Sequence, residues 1–328
     1  MPQIANYPGG FAAGITLRGM PVAVTHPGKV FWVSNSGVLS DRQIGSSNGN
    51  KGTFDAPFST ITGALAQCVA HRGDVVMVKP GHAETLAAAA GIVLSKAGVA
   101  LIGLGTGEKR PTISLGTATT TSITVTASNV SVQNFLFKAT FADVATVFSI
   151  ANAQVATDFA VENCEFRDTA TNLNFVACVK VGTTANIADG LRFVGNRVFG
   201  IASAPAAATT AVVVASDTKR MVLTDNFICH EVALNDTAAL LAGGALNHTG
   251  LDIARNVVFR PSTSSTGGLL MSSSSTACSG MMADNQVGHL DNSAAIIVAT
   301  GTKLSFVNNW AMVTGAADKS ALINPVAV

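Results

Sequence analysis

The chain has 328 residues, only 12% of them charged, with a net charge of +1 and a mean hydropathy of +0.40. That length suits two ordinary domains or one long solenoid. With no basic stripe a nucleic-acid groove is excluded, and no apolar run reaches the roughly 20 residues of a membrane span. The opening MPQIANYPGG lacks the basic and apolar regions of a signal peptide. The excess apolar content is therefore expected to be buried inside the fold or between subunits.

Residues 1–53 hold Pro2, Pro8, Pro21 and Pro27, many Gly and Ser, and one strong strand candidate, KVFWV at 29–33. They read as an extended arm with one or two strands and a loop. GSSNG at 45–49 has the spacing of a nucleophile elbow but not its strand-to-helix setting. Residues 54–73 hold the one clear helix. Ser59 or Thr60 caps it, Ile61, Leu65, Cys68 and Val69 share a face, and Gly73 ends it. A solenoid exposes core and backbone at its first rung, so this helix is assigned as the N-terminal cap.

Residues 74–328 read as short strands broken by Gly, Ala, Ser and Thr. VVMV, GIVL and VALIGLG form a first turn; TISL, SITVT and NVSVQNFLF form a second. GLGTGEK at 103–109 is a turn between coils, since it lacks the phosphate-loop pattern. Each later repeat pairs a β-rich run (TVFSI, FVACVKV, AVVVA, ALLA, GLLM, AIIVA, ALINPVAV) with a segment built around an asparagine.

Those asparagines are Asn134, Asn163, Asn196, Asn226, Asn256, Asn285 and Asn309, at steps of 29, 33, 30, 30, 29 and 24 residues. Such a period marks a stacked repeat. It predicts an all-β, right-handed parallel β-helix of about nine coils, with equivalent residues stacked at the strand spacing. Each Asn is placed at a bend, where it tolerates left-handed geometry and bonds along the stack.

Three positions after these asparagines come Phe137, Phe166, Phe199 and Phe259, a candidate core stack. Two positions after come Leu136, Val198, Ile228, Val258 and Val287, a column expected to face outward. An outer apolar stripe points to a subunit interface, here of a homotrimer. The alternative is that the bend shifts the alternation and these residues lie under loops.

Candidate chemistry is sparse. Asp225, Arg255 and Asp284 stack acid–base–acid before the asparagines, as an exposed ion-pair ladder or, less simply, a catalytic group. Lys138, Arg167, His230, Arg260 and His289 form a basic column, a solvated face or a surface for an acidic partner. The six histidines show no metal-ligand spacing. The five cysteines, odd in number and without CxxC spacing, read as buried free thiols. No catalytic residue, cofactor or metal is assigned, and the chain is expected not to be an enzyme.

HPGKVFWV at 26–33, GNKGTFDAPFSTITGALAQC at 49–68 and RGDVVMVKPGHAET at 72–85 resemble the start of β-helix proteins of tailed-bacteriophage virions. The resemblance covers roughly residues 20–110. It implies a virion protein made in the host cytoplasm, similar to capsid decoration (cement) proteins. Its partners would be itself and the major capsid protein or other virion proteins, with no nucleic acid and no membrane. Met20, Val22, Val24, Val30, Phe31 and Trp32 are then the candidate capsid anchor. The alternative is a tailspike or receptor-binding protein that recognises, or also cleaves, host surface polysaccharide. Its groove needs exposed aromatics, chiefly Trp32 and Trp310.

Overall fold

Runs such as Val75–Val78 alternate half-buried and buried side chains, the pleat of a strand with one face in a core. Each pairs in parallel with the equivalent run one repeat later, as Ser131 does with Ala160 and Ala160 with Arg192. The computed structural model describes residues 16–17, 20–21, 28–35, 45–201, 209–231, 238–244, 246–260, 270–273, 277–289, 297–299, 303–313 and 320–322.

Among the described residues three parallel stacks result, of ten, nine and eight strands, the second extended by one antiparallel strand. The first sheet runs from Val30–Val33 and Val75–Val78 to Lys303–Val307. The second runs from Ala83–Leu86 to Trp310–Val313, and the third from Ile92–Leu94 to Ile297–Ala299. This is a right-handed parallel β-helix. Among the described residues eight coils carry all three strands, against the nine expected; Val30–Val33 adds a rung to the first sheet alone, and the last described coil supplies two strands. Of the run ALINPVAV only Ala321 and Leu322 are among the described residues; in Ser320–Leu322 they pair antiparallel with Trp310–Val313 and so cover that edge of the second sheet.

The helix α1, Ile61–Gln67, packs against Val30–Val33, Val75–Val78 and Ile92–Leu94. Thr60 is its N-cap, the side chain accepting from Gly63 N at 3.1 Å, while Glu84 Oε1 accepts from Ile61 N at 2.6 Å. Ile61, Leu65 and Cys68 are buried as expected, but Val69 is 49% exposed. The helix stops at Cys68 rather than Gly73 because Asp74 reaches back. Its Oδ2 accepts from Val69 N at 2.8 Å and its Oδ1 from Lys29 N at 2.7 Å, with Arg72 clamped on both oxygens. Burial opposes ionisation of Asp74, but these donors outweigh it and hold the carboxyl down to about 2.

The asparagines occupy two different places. Glu162 pairs with Val194, which puts Asn163 beside Gly195 and Cys164 beside Asn196. Asn134 and Asn163 stand at the corner between the first and second sheets with φ of 60° and 54°. Gly195, Asp225, Arg255, Asp284 and Asn308 continue that left-handed corner. Asn196, Asn226, Asn256, Asn285 and Asn309 lie one residue further on, at most 1% exposed. The expected seven-member ladder is therefore corrected to five, with Asn134 and Asn163 outside it.

Within the five, each Oδ1 accepts from the backbone N–H of the previous rung. Asn226 serves Asn196 at 2.9 Å, Asn256 serves Asn226 at 3.1 Å, Asn285 serves Asn256 at 3.0 Å and Asn309 serves Asn285 at 3.1 Å. Each Nδ2 donates to a carbonyl of the coil before, at Val161, Phe193, Leu223, Ile253 and Met282. An inward polar side chain is tolerated here because its groups are met.

Cys164 is the next position down the ladder. Its N–H donates to Asn196 Oδ1 at 2.9 Å, and its sulfur accepts from Phe135 N at 3.5 Å and faces Val132 O at 3.7 Å. The thiol thus sits where an amide would make stronger versions of the same bonds. Cys164→Asn is expected to stabilise the protein by about 1 kcal/mol, near the net value of one intramolecular hydrogen bond. Urea unfolding of the variant checks this; a midpoint below that of the parent would refute the rung assignment.

The same one-residue step corrects the apolar columns. Phe166 pairs with Val198, and Arg167 with Phe199. Phe137, Phe166, Val198, Ile228, Val258 and Val287 form one inward column. The candidate interface residues Val198, Ile228, Val258 and Val287 are thus core, at most 2% exposed. Leu136 belongs to the outward column yet is only 2% exposed. No interface can be built on these five. Phe137 and Phe166 do stack inside, centroids 5.1 Å apart, and Phe166 continues to Phe193 at 5.7 Å. Phe199 and Phe259 leave that stack for the outer face. Consecutive apolar pairs such as Leu240-Leu241 are both buried, because the strand begins at Leu241 and the bend before it turns Leu240 inward as well.

The described cysteines are free, with Cys229 half-buried and the others buried.

Candidate functional site

On a strand, residues two apart share a face, so the outer face of the second sheet carries two columns. One runs Leu136, Glu165, Arg197, Phe227, Val257, Gln286, Trp310. The other runs Lys138, Arg167, Phe199, Cys229, Phe259, Gly288. The face is charged over the earlier coils and aromatic over the later ones.

The aromatic half is unusual for a surface strand. Phe227, Phe259 and Trp310 are 38%, 39% and 44% exposed. Phe199 and Phe227 touch across adjacent rungs, centroids 5.8 Å apart. Phe259 lies over Gly288, where a Cβ would stand 2.8 Å from its ring; the bare glycine lets the ring lie along the sheet. Trp310 Nε1 donates to Asn308 Oδ1 at 2.9 Å, which orients the indole. Phe199 and Phe259 stand two rungs apart, roughly 9–10 Å at the strand spacing. The result is a row of partly exposed apolar rings that adjoins the charged residues of the earlier rungs.

The charged half centres on Glu165. Arg167 bonds its Oε1, and Arg110 Nη1 approaches its Oε2 at 3.6 Å. Arg167 also reaches Glu108 at 3.6 Å. Where the corner meets this face, a pocket of about 200 Å³ is lined by Arg110, Asn163, Cys164, Gly195 and Arg197. Burial pushes the Cys164 thiol up to about 12, so it offers no nucleophile.

The remaining candidates separate. Arg255 is bidentate on Asp225, at 2.7 and 2.8 Å, and Asp284 accepts instead from Asn308 Nδ2 at 2.8 Å. The hydrogen bond from Arg255 lowers the Asp225 carboxyl. These left-handed corner residues are an exposed pair beside an acid–amide pair. The basic column divides at the register step. Lys138 and Arg167 face outward, whereas His230 and Arg260 are inside the coil at 0% and 1% exposure; the side chain of His289 is outside the described residues. Of the candidate anchor, Val22 and Val24 also fall outside them, and Met20 pairs with Leu17 in a short antiparallel ribbon. Val30 is exposed and Phe31 buried. Trp32 meets Phe54 edge-on at 4.9 Å, and Lys79 pins Phe54 by donating to its carbonyl at 2.6 Å. Trp32 is thus engaged within the chain, leaving Trp310 as the tryptophan of the aromatic face. The Phe199–Phe227–Phe259 row was not legible as a surface, because the asparagine alignment placed two of its members in the core.

No family model and no curated protein matches the sequence. In fold the chain is similar to a rhamnogalacturonan lyase (TM-score 0.51, 14% identity, covering 87% of this chain and 74% of that one). It is also similar to pectate lyase Pel9A (TM-score 0.45, 14% identity, 89% and 78%) and to ORF18 of Geobacillus virus E2 (TM-score 0.33, 11% identity, 80% and 59%). All three are likenesses of architecture. The expectation that this chain is not an enzyme is corrected by the first of them: the coil stack is one that a rhamnogalacturonan lyase also has, so a β-helix without a legible motif is no ground for excluding catalysis.

Proposed function

We propose that the chain is a glycan-recognising β-helix of a phage particle, with the outer face of the second sheet as its binding surface. The observation that carries this reading is the aromatic row of Phe199, Phe227, Phe259 and Trp310, partly exposed on consecutive and alternate rungs beside an array of charged side chains. A pyranose presents an apolar C–H face that stacks on such rings, while its hydroxyls meet polar neighbours. The virion setting draws on the resemblance of residues 26–33, 49–68 and 72–85. The decoration reading loses one of its motives, because the column of Val198, Ile228, Val258 and Val287 that called for a partner is core.

The test is binding of purified protein to host surface polysaccharide, read by isothermal titration calorimetry. Trp310→Ala and Phe259→Ala are each expected to weaken binding about tenfold, the equivalent of roughly 1.4 kcal/mol. Both side chains are partly exposed, so thermal stability should hold. Binding unchanged in both variants would remove the face from consideration. Release of reducing ends from the bound polymer would add cleavage to recognition.

A further inference from the structure

We infer that the pocket between Arg110 and Arg197 is a subsite for the carboxylate of an acidic sugar unit, which makes the recognised polymer a polyanion. This rests on the reading of the second-sheet face as a glycan-binding surface and specifies its substrate class. The pocket adjoins that face directly, since Arg197 pairs with Phe227 in the same outward column.

Three observations carry it. The guanidinium of Arg197, at the exposed rim, makes no ion pair or hydrogen bond among the described residues. Among the described residues Arg110, 20% exposed, has Nε and Nη1 without a hydrogen-bond partner, and the Glu165 carboxylate stays 3.6 Å away while bonded to Arg167. A largely buried guanidinium with unmade bonds is costly, and an incoming anion provides the missing acceptor. Third, the floor is cleared of side chain. Gly195 has φ +66°, and a Cβ there would stand 2.6 Å from Asn163 Oδ1. Bare backbone at that rung leaves about 200 Å³ open. Two guanidinium groups at one small polar cavity suit a planar carboxylate, which each can bind through two N–H groups.

Arg197 is the residue to change, since its side chain has no partner to lose and its replacement should leave the melting temperature unaltered. The probes are hyaluronate and polygalacturonate oligosaccharides, each against its carboxyl-reduced form, with dextran sulfate as a non-carboxylate polyanion. At least one acidic oligosaccharide is expected to bind at least tenfold tighter than its reduced form. Arg197→Gln should remove that difference, and Arg197→Lys should restore it only in part, lacking the bidentate fork. Equal binding of acidic and reduced forms, or an undiminished preference in Arg197→Gln, overturns the subsite. If Trp310→Ala still weakens binding in that case, the glycan-binding face survives alone. Dextran sulfate binding as tightly, with the same dependence on Arg197, overturns the carboxylate assignment in favour of a general anion site. No binding to any of these glycans, acidic or reduced, overturns subsite and face together.

Discussion

Replacing Asn256 by alanine is expected to destabilise the protein by roughly 4 kcal/mol, from two or three buried groups left unmet at about 1–3 kcal/mol each. Asn256 stands in the middle of the ladder. Its Oδ1 accepts from both N–H and Nδ2 of Asn226, and its Nδ2 donates to Leu223 O and Asn285 Oδ1. Alanine leaves the backbone N–H of Asn226 and the carbonyl of Leu223 without those partners at a site that water does not reach. Asn256→Gly should be no better, because this position does not require a left-handed backbone. Asn134 is the contrast. Its φ is 60°, and its side chain bonds Gly103 O and Gly105 O at a half-buried corner. Glycine adopts that φ freely, so Asn134→Gly should change stability by only about 1 kcal/mol. Urea unfolding, with hydrogen exchange at the Asn226 amide as a local probe, separates the two classes. Equal effects of Asn256→Gly and Asn134→Gly would dissolve the distinction between corner and ladder.

Lowering the pH from 6.5 towards 4 is expected to destabilise the fold through His230 by about 1.4 kcal/mol per pH unit, the value of one proton of linkage. The ring is 0% exposed, and among the described residues neither of its nitrogens completes a hydrogen bond. Burial first, and the charge of Arg260 second, push its pKa down to about 3; a backbone group of Thr209 opposes them weakly. The folded state therefore holds His230 neutral, while the unfolded chain protonates it near 6.5. Below 6.5 the unfolded state binds more protons, so stability falls with pH, and it goes on falling until the folded histidine itself titrates near 3. His248, lowered by burial, adds to the slope with the same sign. Gly200 makes room for the ring, since a Cβ there would stand 2.0 Å from His230 Cε1. His230→Leu should remove most of one proton's worth of slope between pH 6.5 and 4.5. Unfolding free energies of parent and variant that run parallel with pH across that window would show that His230 does not carry it.

The asparagine period, the β-rich runs, the glycine and alanine breaks and a capping helix near residue 60 were enough to predict a parallel β-helix. They were legible because a solenoid repeats one local problem: each coil must place a bend, an inward strand face and a hydrogen-bonding edge at a fixed chain interval. Thr60 and Ile61 could be read as a helix start from local chemistry alone, and Phe137 and Phe166 as core from their place beside the bend.

The register between Asn163 and Asn196 could not be read in this way. A step of 33 residues between two asparagines looks like the same position with a longer loop. It is a loop of fixed effect plus a shift of one, because Gly195 takes over the left-handed corner and the asparagine moves inward. On a pleated strand, one residue is the difference between core and solvent. That single step moved Val198, Ile228, Val258 and Val287 into the core, turned Phe199 and Phe259 outward, and buried His230 and Arg260.

By itself, then, the sequence determined the architecture: how many residues make a coil, which segments are strands, and that these strands stack in parallel. Which way each side chain points after residue 163, and hence where the binding face and the arginine pocket lie, was decided by the tertiary structure alone. The physical reason is that the inward amide gains its stability from the coils above and below it. A chain read one coil at a time does not contain the neighbour that would tell a buried Asn from a turning one.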